Sequence, residues 1–127
     1  MWFTKPSILL IDDDPSISII AEKKLSAQNN YKVTVSDNGF DGIDIASDIK
    51  PNLIILDWIM PGLSGLDILK QIKNNSDLCN IPVLMLTGKN LIGEIEEAFS
   101  AGASGYLTKP LDLNKLIKKV NELIIKK

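Results

Sequence analysis

The stretch from Leu53 to Gly65, LIILDWIMPGLSG, decides the fold of this chain. Leu53, Ile54, Ile55 and Leu56 form an unbroken apolar run, which reads as a strand covered on both faces. Asp57 follows where such a strand would leave the core, so a carboxylate is placed at the core's edge. Trp58, Ile59 and Met60 then lead into Pro61 and Gly62, and the paired Pro and Gly mark the start of a loop.

The same grammar recurs on either side. Upstream, Ile8 to Ile11 is a second fully apolar run, and it ends in Asp12, Asp13 and Asp14. Asp14 followed by Pro15 has the form of an N-cap with proline at the first helical position. Ile17, Ile20, Ala21 and Leu25 then recur at helical spacing, and Asn29 and Asn30 end that helix. Tyr31, Val33 and Val35 alternate with Lys32, Thr34 and Ser36, the period of a half-exposed strand at a sheet edge. After the turn Asp37-Asn38-Gly39, a short amphipathic helix carries Ile43, Ala46 and Ile49 on one side and reaches Ile49. Lys50, Pro51 and Asn52 stop it.

Downstream, Ile68, Leu69 and Ile72 mark a third helix ending near Asn74. Ile81 to Leu86, with Pro82 at its start, reads as a fourth strand that delivers Thr87 to the place Asp57 holds on its own strand. Ile92, Ile95, Phe99 and Gly102 fit one face of a fourth helix. The segment Gly105 to Thr108 is a short strand presenting Lys109. Leu113, Leu116, Ile117, Val120, Leu123 and Ile124 make the clearest amphipathic helix of the chain. Strands alternating with helices imply a doubly wound α/β fold, a five-stranded parallel sheet with five helices and right-handed crossovers.

Composition narrows the chemistry. The 127 residues, 45% hydrophobic, suit one domain over residues 1–127 with a single core. A formal net charge of −2 gives no electrostatic footprint for nucleic acid or an anionic membrane. The chain has no His, which removes the commonest general base and zinc ligand. Its 14 basic residues are all Lys, so any phosphate must be held by ammonium groups, backbone N–H or a metal. Cys79 is the only cysteine, so it has no internal disulfide partner and no His to activate it. The opening lacks a signal-peptide pattern, and the apolar runs are too short to span a membrane, so a cytoplasmic location is expected.

In open parallel sheets, ligands bind beyond the carboxyl ends of the strands. Asp12, Asp13, Asp57, Thr87 and Lys109 all fall at such ends. Singly, each is ordinary: a turn former, a cap, a strand residue or a solvated charge. The glycines at 62, 65, 88, 102 and 105 read as turn formers, and Tyr106 as a partly buried aromatic. Together the five polar residues converge on one edge. Crowded carboxylates must protonate or be neutralised by a cation. With oxygen ligands only, Mg²⁺ is the best match; Ca²⁺ uses the same donors, but its loop pattern is absent. A site with Mg²⁺, the Lys109 ammonium and the Thr87 hydroxyl suits a phosphoryl group, and Asp57 is the plausible nucleophile.

The motifs ILLIDDDP, LIILDWIMPGLSG, VLMLTG and AGASGYLTKP resemble those of receiver domains of the two-component response regulator family, in its stand-alone chemotaxis form, over essentially the whole chain. The resemblance implies a flavodoxin-like sheet of strand order 2-1-3-4-5. It implies that Asp57 accepts a phosphoryl group from a sensor histidine kinase or a histidine phosphotransfer protein. Asp12, Asp13, Asp57 and the backbone carbonyl of Ile59 would hold Mg²⁺, with Thr87 and Lys109 on the phosphoryl group. Tyr106 would turn inward as Thr87 moves, the Lys109–Pro110 bond would be cis, and output would leave through the fourth helix, fifth strand and fifth helix.

Ile59 and Lys89, each two residues beyond a site residue, would tune the lifetime of the phosphorylated state, and an apolar Ile59 implies slow self-dephosphorylation. The downstream output protein is not identified by the sequence, which leaves open a stand-alone regulator or a segment of a longer one. Two other readings use the same fold: an interaction module that works without phosphorylation, and an aspartate-nucleophile phosphatase. The second would want an Asp where Ile59 stands.

Overall fold

In a computed structural model, residues 5–29, 31–60, 62–88 and 92–124 are described. The elements run β1 (Ser7–Ile11), α1 (Pro15–Asn29), β2 (Lys32–Ser36), α2 (Gly39–Ile49), β3 (Leu53–Asp57), α3 (Gly65–Lys73), β4 (Val83–Thr87), α4 (Ile92–Ser100), β5 (Gly105–Thr108) and α5 (Leu113–Leu123). All neighbouring strands are parallel, in the order β2-β1-β3-β4-β5.

The unbroken apolar runs are explained by this order. β1, β3 and β4 are internal strands with a helical layer on each face, so every residue of the run is buried and successive residues serve opposite layers. Leu9, Ile11, Ile54, Leu56, Val83 and Met85 pack with Ile68, Leu69 and Ile72 of α3, Ala46 of α2 and Ala98 of α4. Ile8, Leu10, Leu53, Ile55, Leu84 and Leu86 pack with Ala21 and Leu25 of α1 and Leu116 and Val120 of α5. β2 lies at one edge and is half-exposed along most of its length.

The helix starts follow their caps. Asn38, Ser64 and Asp112 accept backbone N–H groups at the first turns of α2, α3 and α5. Lys50 closes α2 in the left-handed region (φ 45°) just before Pro51.

Three boundary or face expectations are corrected. β4 begins at Val83 rather than Ile81. Pro82 has no N–H to give the ladder, although its carbonyl accepts from Ile54 N–H at 3.0 Å. On α1 the covered face is Ser18, Ala21 and Leu25, while Ile19 and Ile20 are 53% and 52% exposed. The cluster Ile17, Ile19 and Ile20 supports either face, and packing selects the one whose small residues let the helix lie close to the sheet. On α4 it is Ala98 that is buried, and Phe99 stands 45% exposed. Among the described residues, no helix is long and apolar enough to cross a membrane.

Candidate functional site

Strand order brings the site residues together. β1 and β3 are adjacent, with Ile11 opposite Leu56, so the next residues along, Asp12 and Asp57, are neighbours at the sheet's carboxyl edge. The backbone extends each ladder past the strand ends. Asp12 N–H donates to Ser36 O at 3.0 Å, Trp58 N–H to Leu86 O at 2.8 Å, and Lys109 N–H to Thr87 O at 2.7 Å. Lys109 follows β5, two strands from β3, and its long stem spans β4. Nζ lies 3.1 Å from Asp57 Oδ1 and 3.5 Å from Asp12 Oδ2. The Lys109–Pro110 peptide is cis.

Asp57 and Asp12 are buried, whereas Asp13 is exposed at the rim. One carboxylate oxygen from each of the three lies within 4.8 Å of the others. Asp12 Oδ1 accepts the Asp14 N–H at 2.9 Å, which leaves Oδ2 turned toward Lys109 with no hydrogen bond among the described residues. Thr87 Oγ1 is likewise buried without a partner among the described residues. A buried polar atom without a hydrogen bond is costly; Thr87 Oγ1 has none, and Asp12 Oδ2 has only its ion pair with Lys109 at 3.5 Å.

The electrostatics follow from that crowding. Burial, and then the charge of Asp12, push the Asp57 carboxyl up to about 6, against the hydrogen bond and charge of Lys109 and the Ile59 N–H. For Lys109, burial disfavours the ammonium, but the hydrogen bond and charges of Asp57 and Asp12 outweigh it and hold its pKa above the ordinary value. At neutral pH three carboxylates and one ammonium leave the site two negative charges in excess. An all-oxygen donor set, an Asp12 oxygen without a hydrogen bond and that excess fit a hard divalent cation of the Mg²⁺ type.

Gly65 belongs to the site, though its sequence reading was only that of a turn former. A Cβ there would lie 2.2 Å from the Asp57 carbonyl oxygen and 2.8 Å from Trp58 Cα. Gly65 N–H also donates to Trp58 O at 2.8 Å, closing the loop that follows β3. Only the motif spacing carried this signal, because the need for glycine comes from a close approach. Gly62 (φ 84°) and Gly102 (φ 109°) do serve left-handed turns.

Met85 pairs with Tyr106, and Val83, Met85 and Thr87 alternate on one side of β4. Tyr106 and Thr87 therefore share the sheet face that α4 covers. The Tyr106 ring meets Phe99 edge-on, with centroids 5.9 Å apart at 80°. Ile59 projects outward, 67% exposed. Lys89 lies outside the described residues.

Comparison with known proteins bears on the family and the fold. The family model described as the response regulator receiver domain matches residues 8–121. A "DNA-binding dual master transcriptional regulator RpaA" of Synechocystis is 35% identical over 119 residues, covering 94% of this chain and 49% of its own length. A "Response regulator MprA" of a Mycobacterium is 32% identical over 117 residues, covering 92% of this chain and 50% of its own. The chain thus spans about half the length of these curated relatives. Among solved structures, chemotaxis protein CheY4 of Vibrio cholerae superposes with TM-score 0.89 at 26% identity, covering 95% of this chain and all (100%) of that one. The receiver domain of Francisella response regulator 1452 gives 0.86 at 30% identity, covering 94% and 96%.

Proposed function

This chain belongs to the response regulator receiver domain family, and from that membership we propose that it is a phospho-accepting signalling switch whose acceptor is Asp57. The observation that carries the reading is the Asp57 carboxylate, buried at the end of β3, with Lys109 Nζ at 3.1 Å and the Asp12 and Asp13 carboxylates beside it.

The donor is a phosphohistidine on a sensor histidine kinase or a histidine phosphotransfer protein. An Asp57 carboxylate oxygen attacks phosphorus, the new O–P bond forms as the P–N bond breaks, and the departing imidazole keeps the electron pair and takes up a proton. Although burial pushes its carboxyl up to about 6, Asp57 is mostly ionised at pH 7, so the nucleophile is present without a general base. Lys109 supplies positive charge for the phosphoryl oxygens, and the unpartnered Thr87 Oγ1 is a ready donor to one of them.

Asp12, Asp13, Asp57 and the Ile59 carbonyl would hold Mg²⁺, which when bound neutralises the excess negative charge and screens an incoming phosphoryl group from the carboxylates. Since the acceptor and the Thr87–Tyr106 pair both lie along β4 and its neighbours, output runs through α4, β5 and α5 to a further protein. The phosphoryl group favours the active arrangement only through contacts made better there. The exposed Ile59 side chain offers an attacking water no hydrogen bond, which supports slow self-dephosphorylation and no phosphatase role.

The test is transfer from a phosphorylated histidine phosphotransfer domain, followed by phosphate-affinity gel shift. Label should move to this chain with Mg²⁺ present and not to an Asp57→Asn variant; transfer to the variant would refute the assignment.

A further inference from the structure

Phe99 is a large aromatic left 45% exposed on α4, one residue beyond the buried Ala98. It lines a groove of about 380 Å³ with Tyr106, Leu107, Pro110 and, from α5, Lys115 and Lys119. In that groove its ring makes the edge-to-face contact with Tyr106, centroids 5.9 Å apart and planes at 80°, inside the range in which aromatic pairs attract. Tyr106 is half-buried against the core layer that α4 covers, on the same sheet face as Thr87. Thr87 Oγ1 meanwhile has no partner among the described residues, so the tyrosine hydroxyl is not bonded to it.

Tyr106 therefore occupies a groove-lining arrangement in which Phe99 is its aromatic partner. We propose that Phe99 is a positioning residue for the switch, holding Tyr106 in the groove and so opposing phosphoryl-group binding at Asp57. This inference rests on the phospho-acceptor reading and on Tyr106 turning inward as Thr87 engages the phosphoryl group. Such a turn is a change of χ1 well, which carries a tyrosine ring several ångströms and takes it away from Phe99. The pair is then worth its full strength in one arrangement and little in the other. A contact present in only one of two states shifts their populations by its own free energy. For an aromatic pair that is about a two- to twelve-fold change in the apparent affinity of any ligand that selects the inward state. The ring contact of Phe99 is with Tyr106, and through it Phe99 acts on the site.

The experiment uses beryllofluoride, a phosphoryl mimic, with Mg²⁺ and the intact chain, read by isothermal titration. Phe99→Leu, which keeps apolar volume and removes the ring, should tighten beryllofluoride binding about two- to twelve-fold. Phe99→Tyr, which keeps the ring, should match the parent. Mg²⁺ affinity measured alone should be the same in all three. In a Tyr106→Ala background, Phe99→Leu should have no effect, the outcome a general structural role would not give. Unchanged or weaker beryllofluoride binding by Phe99→Leu, or an equal effect with and without Tyr106, overturns the proposal. A parent chain that binds Mg²⁺ but no beryllofluoride would instead remove the phospho-acceptor reading itself.

Discussion

Replacing Asp57 with Asn should make the metal-free domain less sensitive to pH, and the size of the effect follows from the site. Burial and Asp12 raise the Asp57 carboxyl from 3.8 to about 6. The folded chain thus binds this proton more tightly than the unfolded chain does. Stability from that source is complete below 3.8 and is lost as pH rises through about 6. At about 1.4 kcal/mol per tenfold change in proton affinity, keeping Asp57 ionised costs the folded state roughly 3 kcal/mol. Between roughly pH 4.5 and pH 7.5 the parent should lose about 2 kcal/mol on this account.

Asn resembles the protonated acid in shape and has nothing to titrate. In urea melts without metal, the stability of Asp57→Asn minus that of the parent should grow by about 2 kcal/mol across that range. Subtracting the variant removes the contribution of carboxylates that do not interact with Asp57; Asp12, which does, remains within the difference. Added Mg²⁺ should then stabilise the parent at neutral pH and close the gap, since it binds the folded state alone. A difference that stays constant or narrows as pH rises would refute the account of how Asp57 is held.

Other perturbations separate the parts of the site. Gly65→Ala places a methyl group 2.2 Å from the Asp57 carbonyl; it should cost about 1–3 kcal/mol in chemical denaturation and lower the rate of phosphoryl uptake, because backbone must shift. Asp12→Ala should weaken Mg²⁺ binding, followed by tryptophan fluorescence, at least about ten-fold while the domain stays folded. Ile20→Ser, on the exposed face of α1, should change stability by less than about 0.5 kcal/mol. Leu25→Ala, fully buried on the same helix, should cost about 2–5 kcal/mol. Ile59→Asn should shorten the lifetime of the phosphorylated chain in a decay assay, and an unchanged lifetime would remove side-chain control from that position.

The sheet was legible because internal parallel strands need apolar residues on both faces, so Ile8 to Ile11, Leu53 to Leu56 and Val83 to Leu86 stand out from any amphipathic helix. Convergence of Asp12, Asp57, Thr87 and Lys109 was legible because strand ends in such a sheet share an edge. What escaped was set by contact between elements. Spacing alone does not decide whether α1 covers Ser18 or Ile20, since isoleucines flank both choices. On α4 the periodic Phe99 gives way to Ala98 beneath it, and the displaced ring becomes the neighbour of Tyr106. Gly65 reads as punctuation until the Asp57 carbonyl is seen against its Cα.

Intact mass after incubation with a small acyl-phosphate donor tests the central claim most directly, run with and without Mg²⁺ and beside Asp57→Asn. A single phosphoryl adduct that requires Mg²⁺ and is absent from the variant is the predicted result. No adduct on the parent, or an equal adduct on Asp57→Asn, would contradict it.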